Sequence, residues 1–71
     1  MANKIFKIGT LLYDDEEGCS LVVSIHKQGN CFYYSIFDQA EQSYYTITNS
    51  GLNRMVQKGY WKIEYEPQEK V

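Results

Sequence analysis

The chain has one proline, one histidine and two cysteines among 71 residues, and each scarcity excludes something. With Pro67 as its only proline and 44% hydrophobic residues, it lacks the composition that keeps a chain disordered. Cys19 and Cys31 are too few for a disulfide framework, and the expectation is two free thiols. No apolar run reaches the length that spans a bilayer, so no membrane association is expected. The opening "MANKIFKIG" is too short and too polar for a signal peptide, which makes a cytoplasmic product the expectation. Positive charge is scarce as well. Seven Lys and Arg stand against nine Asp and Glu, for a formal net charge of -2. Proteins that live on phosphate backbones draw their affinity from the opposite balance. No internal repeat or low-complexity segment is present.

Catalytic constellations are missing too. Cys19, His26 and Cys31 offer three metal-ligand types, but their spacing matches no finger pattern. On paired strands Cys19 falls roughly 20 Å from the other two, at about 3.4 Å per residue. Cys31 can approach His26 across a hairpin, but a nucleophilic pair also needs an orienting third group and an oxyanion site. Asp14, Asp15, Glu16 and Glu17 are adjacent, not spaced as in a calcium loop, and read as a solvated acidic turn. The five glycines are scattered as turn glycines are, with no phosphate cradle. No catalytic residue, metal ligand or cofactor is expected, and the chain is not expected to be an enzyme.

Size points the same way. A single domain of 8.3 kDa is expected over residues 1–71, with 67–71 a frayed tail. Folding takes its surface from about 12,000 to about 4,600 Å². Apolar burial on that scale stabilises by roughly 110 kcal/mol. Ordering the chain costs about 105 kcal/mol. The near balance leaves little room for a large catalytic cavity.

What is plentiful is tyrosine, seven in all, set in runs of period two. "IFKIGTLLY", 5–13, predicts a first strand with Phe6 and Ile8 on one face and a bend at Gly9-Thr10, where glycine suits a bulge or a close backbone approach. "CSLVVSIHK", 19–27, predicts a second, with Leu21, Val23 and Ile25 inward and Val22, Ser24 and His26 outward. "KQGN" closes a hairpin into "CFYYSIF", 31–37, where Phe32, Tyr34 and Ile36 form the apolar row. "SYYTIT", 43–48, predicts a fourth strand with Tyr45 and Ile47 apolar. The period then changes. Leu52, Met55 and Val56 lie at i, i+3 and i+4 and predict a short helix over 49–59, capped by Asn49 or Ser50 and ended by Gly59. "YWKIEYE", 60–66, predicts a last strand with Trp61, Ile63 and Tyr65 in one row. The expected core holds Val23, Ile25, Leu52, Met55, Val56, Trp61 and Ile63.

Four strands, a short helix and a last strand resemble the SH3-like small barrels in order. The resemblance implies a mainly all-β fold, a five-stranded antiparallel sheet strongly curled into a small barrel, with the helix between strands four and five. "GLNRMVQKGYWKIEY" also resembles the C-terminal part of small bacterial and phage-encoded proteins. That resemblance implies a phage or mobile-element origin. No family binding residue carries over, since the acidic-aromatic signature and paired tryptophan of peptide-binding SH3 domains are not present.

Two surfaces remain as candidates. Pairing of the third and fourth strands about residue 40 sets Tyr33 beside Thr46 or Thr48, and Ser35 beside Tyr44 or Thr46. Tyr33, Tyr44, Ser35 and Thr46 then form a face of tyrosine among small hydroxyls, suited to a protein partner because a tyrosine ring buries area while its hydroxyl stays wet. The alternative is a nucleic-acid surface of Arg54, Lys58, Lys62 and Lys7, with Asn53 and Gln57 completing a polar helix face. The leading expectation is a non-enzymatic module that binds a protein partner and modulates a host protein.

Overall fold

The computed structural model describes residues 4–68. Five antiparallel strands form one sheet: β1 (Leu11–Asp14), β2 (Gly18–Gln28), β3 (Cys31–Asp38), β4 (Ser43–Thr48) and β5 (Lys62–Tyr65). The helix α1 (Asn49–Gln57) lies between β4 and β5 in the chain. The strand order is β4-β3-β2-β1-β5, so β4 and β5 are the edges. Residues 69–71 of the expected tail lie outside the described residues. Pro67 is half-buried, and its carbonyl accepts from Lys7 Nζ at 3.4 Å.

One face of the sheet is the core. Leu12, Val22, Tyr34 and Ile36 are fully buried on it, with Phe6, Leu52 and Trp61 packed over them. Ile25, Tyr45, Ile47, Met55, Val56 and Ile63 close the margins. The rows expected in β4 and α1 are found here, as are Tyr34 and Ile36 of β3 and Trp61, buried at 6% exposure, whereas Phe32, expected in the same row as Tyr34, is half-buried under Lys27 and stays outside this cluster.

Three departures from simple alternation move side chains off the faces expected for them. In β2 the register shifts between Val22 and Ser24, leaving Val23 without a partner on β3. The extra residue flips the parity. Val22 is therefore in the core, Leu21 faces outward, and Ile25 is inward again. In β5 the pairs Leu12–Ile63 and Leu11–Tyr65 bracket a second irregularity that skips Glu64. Ile63 thus faces the core, while Tyr65 sits opposite outward-facing Leu11 and is 59% exposed.

The third departure is at Gly9. Gly9 N donates to Val22 O at 2.8 Å, and Val22 N donates to Thr10 O at 3.0 Å, so two residues oppose one. Gly9 has φ +97°, and a Cβ there would lie 3.1 Å from Pro67 Cγ. Glycine meets both demands, the left-handed backbone and the close approach. The bend also ends any strand over 5–8. Phe6 turns into the core, while Ile8, expected on the same face, is 57% exposed.

A buried polar network ties this N-terminal segment to the helix. Tyr34 Oη accepts from Phe6 N at 3.0 Å and donates to Asn49 Oδ1 at 2.5 Å. Asn53 holds Lys4 by both main-chain groups: Oδ1 accepts from Lys4 N at 2.9 Å, and Nδ2 donates to Lys4 O at 2.8 Å. Asn53 is 4% exposed, so it does not belong to the polar helix face expected for it. Asn49 is occupied by Tyr34 and Asn53, and the cap is Thr48, whose hydroxyl accepts from Gly51 N at 3.1 Å. Gly59, φ +82°, follows the helix as expected.

Candidate functional site

Helix α1, Phe6 and Trp61 cover the inner face of the sheet, and among the described residues no element covers the outer one. Its side chains follow from the register. Tyr33 pairs with Thr48, Ser35 with Thr46, and Phe37 with Tyr44. On the other side of β3, Tyr33 pairs with His26, Ser35 with Ser24, and Phe37 with Leu21. Leu21 continues to Leu11, and Leu11 to Tyr65.

The four residues expected on a tyrosine-hydroxyl face are thus on one face. Tyr33 and Ser35 are half-buried, and Tyr44 and Thr46 are exposed. Tyr33 and Tyr44 do not touch. Tyr33 is four residues from Phe37, the partner of Tyr44, which is about 13 Å along a strand. The hydroxyls of Ser35, Thr46 and Thr48 occupy the space between.

Each tyrosine has a neighbour that alternation in a single strand does not point to. Tyr33 stacks on His26, with ring centroids 5.0 Å apart and planes at 21°. His26 Nε2 lies 2.9 Å from Ser24 Oγ and 3.2 Å from Ser35 Oγ. Tyr44 packs against Phe37 at 5.0 Å and is still 70% exposed. Cys31, expected to approach His26 across the hairpin, pairs instead with Gln28. Cys19 and Cys31 are both free.

The larger feature is a row running across all five strands: Tyr44, Phe37, Leu21, Leu11 and Tyr65. With strands about 4.8 Å apart it spans about 19 Å. A shallow cavity of about 210 Å³ opens along it, lined by Leu11, Cys19, Ser20, Leu21, Phe37 and Gln39. Phe37 falls in the row of Tyr33 and Ser35 by alternation, whereas Leu11, Leu21 and Tyr65 were not legible as surface residues. The two bulges put Leu21 and Tyr65 there, and bulges leave no fixed mark in a single sequence.

The basic residues are dispersed. Arg54 and Lys58 are exposed at the helix, on the inner side of the sheet. Lys62 pairs with Tyr13 on β1, next to inward Ile63, and so belongs to the outer face. Lys7 is engaged by Pro67 O, and Lys4 is ion-paired with Glu66. Among the described residues no three His, Cys, Asp or Glu side chains are grouped to hold a metal ion. None of the helices described is long and apolar enough to cross a membrane.

Two phenols on the core face, buried Tyr34 and half-buried Tyr45, have raised pKa values. Burial pushes Tyr34 up, against its hydrogen bond with the Phe6 amide. Burial also pushes Tyr45 up to about 12, aided by the carboxylates of Asp38, Glu17 and Asp14 and opposed by a bond with Ser20. Both lie on the core face and serve packing.

Comparison with known proteins finds no family model, curated protein or solved structure that matches this chain.

Proposed function

We propose that the chain is a small non-enzymatic interaction module that binds a protein partner with the outer face of its sheet. The observation that carries this reading is the uncovered row Tyr44–Phe37–Leu21–Leu11–Tyr65, flanked by Tyr33 and the hydroxyls of Ser35 and Thr46. Removing such apolar area from water favours association. The hydroxyls beside it give the directional polar contacts that protein interfaces carry around their apolar centres. Tyrosine serves both needs, with a broad ring and a hydrogen-bonding tip.

The fold we assign is of the SH3-like small-barrel kind, supported by the order of four strands, a short helix and a fifth strand. The resemblance of "GLNRMVQKGYWKIEY" to small phage-encoded proteins supports a role in modulating a host protein in the cytoplasm, an argument from likeness rather than from the site.

The test is affinity capture from the native host. Wild type is compared with Tyr33→Ala/Tyr44→Ala and with Arg54→Glu/Lys58→Glu, each first shown to be folded. Loss of one specific protein with the tyrosine variant alone, at an affinity that changes little with salt, is the expected result. Capture of nucleic acid, lost with the helix variant and falling steeply with salt, would replace this reading with the nucleic-acid one.

A further inference from the structure

The two edges of the sheet are built in opposite ways. β5 has four residues, carries Lys62 and Glu64, is interrupted at Glu64 and runs into Pro67. Glu66 and Pro67, just beyond it, are held by Lys4 and Lys7. Short length, charge, a bulge and proline are the devices that prevent a sheet edge from pairing with another chain. β4 has none of them. Its six residues, Ser43–Thr48, are uncharged, aromatic or β-branched for the most part, and paired with β3 in unbroken register. Among the described residues no strand pairs with its outer side. Alternate residues of an edge strand direct their N–H and C=O groups outward, so β4 presents an open ladder.

We propose that β4 is a self-association edge, at which two copies of this chain pair β4 to β4, antiparallel, about a twofold axis. Charge is what usually keeps identical edges apart, and here it is absent. The register follows from the faces. A continuous sheet with both cores on one side needs residues of like face opposite each other. Pairing centred on Tyr45 meets this, setting Tyr44 beside the partner's Thr46 and Tyr45 beside the partner's Tyr45. It places Glu41 opposite the partner's Asn49, so no like charges meet. The blocked edge sets the size of the assembly. A β4-to-β5 contact would propagate into a fibre, and β5 is closed to it, so association stops at the twofold dimer. The argument rests on the edges and is independent of any partner on the outer face.

Sedimentation equilibrium of the isolated protein tests it, up to about 1 mM, a range that captures even millimolar association. The mass should rise with concentration from one 8.3 kDa chain toward two and no further. Thr46→Lys and Tyr44→Lys each place a charge on the edge. Each should weaken the dimer at least tenfold while the melting curve shows a folded monomer. Lys62→Thr/Glu64→Thr, which clears the other edge, should instead allow species beyond the dimer. A single-chain mass throughout, or a dimer that survives both lysine variants, would overturn the proposal. So would open-ended growth of the wild type. A dimer lost with Leu21→Glu but kept by the lysine variants would also overturn it, placing the contact on the outer face.

Discussion

Replacing Tyr34 by phenylalanine removes one oxygen atom and should destabilise the domain more than any other such loss. The hydroxyl accepts from Phe6 N and donates to Asn49 Oδ1, joining β3, the N-terminal segment and α1. A net hydrogen bond contributes about 0.5–1.5 kcal/mol, and a buried group left without a partner costs about 1–3 kcal/mol. Asn49 Oδ1 keeps a second donor, Asn53 Nδ2 at 3.1 Å. Phe6 N–H has no such substitute, and Phe6 is 1% exposed. The expected loss is about 2–3 kcal/mol, a large share of the roughly 4–11 kcal/mol that a domain this size possesses. The melting temperature should fall by roughly 10–20 °C. Urea unfolding followed by circular dichroism measures the loss, and hydrogen exchange at Phe6 locates it. Tyr33→Phe and Tyr44→Phe, made on the outer face, should stay within about 0.5 kcal/mol of wild type. A Tyr34→Phe protein of wild-type stability, with Phe6 still protected, would refute the reasoning.

Other perturbations separate the core from the outer face. Asn53→Ala breaks the double grip on Lys4 and should cost about 2–3 kcal/mol, with faster exchange at Lys4 and Phe6 in the folded state. Trp61→Ala should cost about 3–5 kcal/mol in denaturant unfolding, since the indole is packed in the core against Tyr45. Alkaline stability should follow Tyr45. Its folded pKa lies near 12 and its unfolded value near 10, so the unfolded chain loses its proton first. Stability should hold below pH 10 and fall as pH rises from 10 to 12. Tyr45→Phe should flatten that decline in a pH series of urea melts. Tyr33→Ala and Tyr44→Ala should barely change stability while weakening partner capture, and large stability losses at both would assign these rings to packing.

The sequence made the rows of β3 and β4 readable because nothing interrupts them. Tyr34 and Ile36 alternate with Tyr33, Ser35 and Phe37, and their partners on β4 follow in register. Alternation left Tyr33 beside Thr46 or Thr48 and Ser35 beside Tyr44 or Thr46, and the structure has Tyr33 with Thr48 and Ser35 with Thr46. The helix was readable from a change of period, and its capping residue was not. Asn49 is as good a cap in isolation as Thr48, and only the distant Tyr34 hydroxyl takes it away. The same holds for Asn53, polar by composition and buried because Lys4 supplies the backbone partners. Leu21 and Tyr65 were misplaced by one extra residue each, at Val23 and Glu64. A bulge changes every side chain beyond it while leaving local propensity intact. The tyrosine-hydroxyl half of the candidate surface, with Phe37, was therefore visible in advance, and Leu11, Leu21 and Tyr65 joined it only in three dimensions.

The central proposal is that the outer face of the sheet is the working surface. Amide chemical-shift mapping of the labelled protein, titrated with the partner recovered by capture, tests it most directly. The largest perturbations are expected at Leu11, Leu21, Tyr33, Phe37 and Tyr44, with Arg54 and Lys58 unmoved. Perturbations centred on Arg54 and Lys58, with the outer face silent, would contradict it.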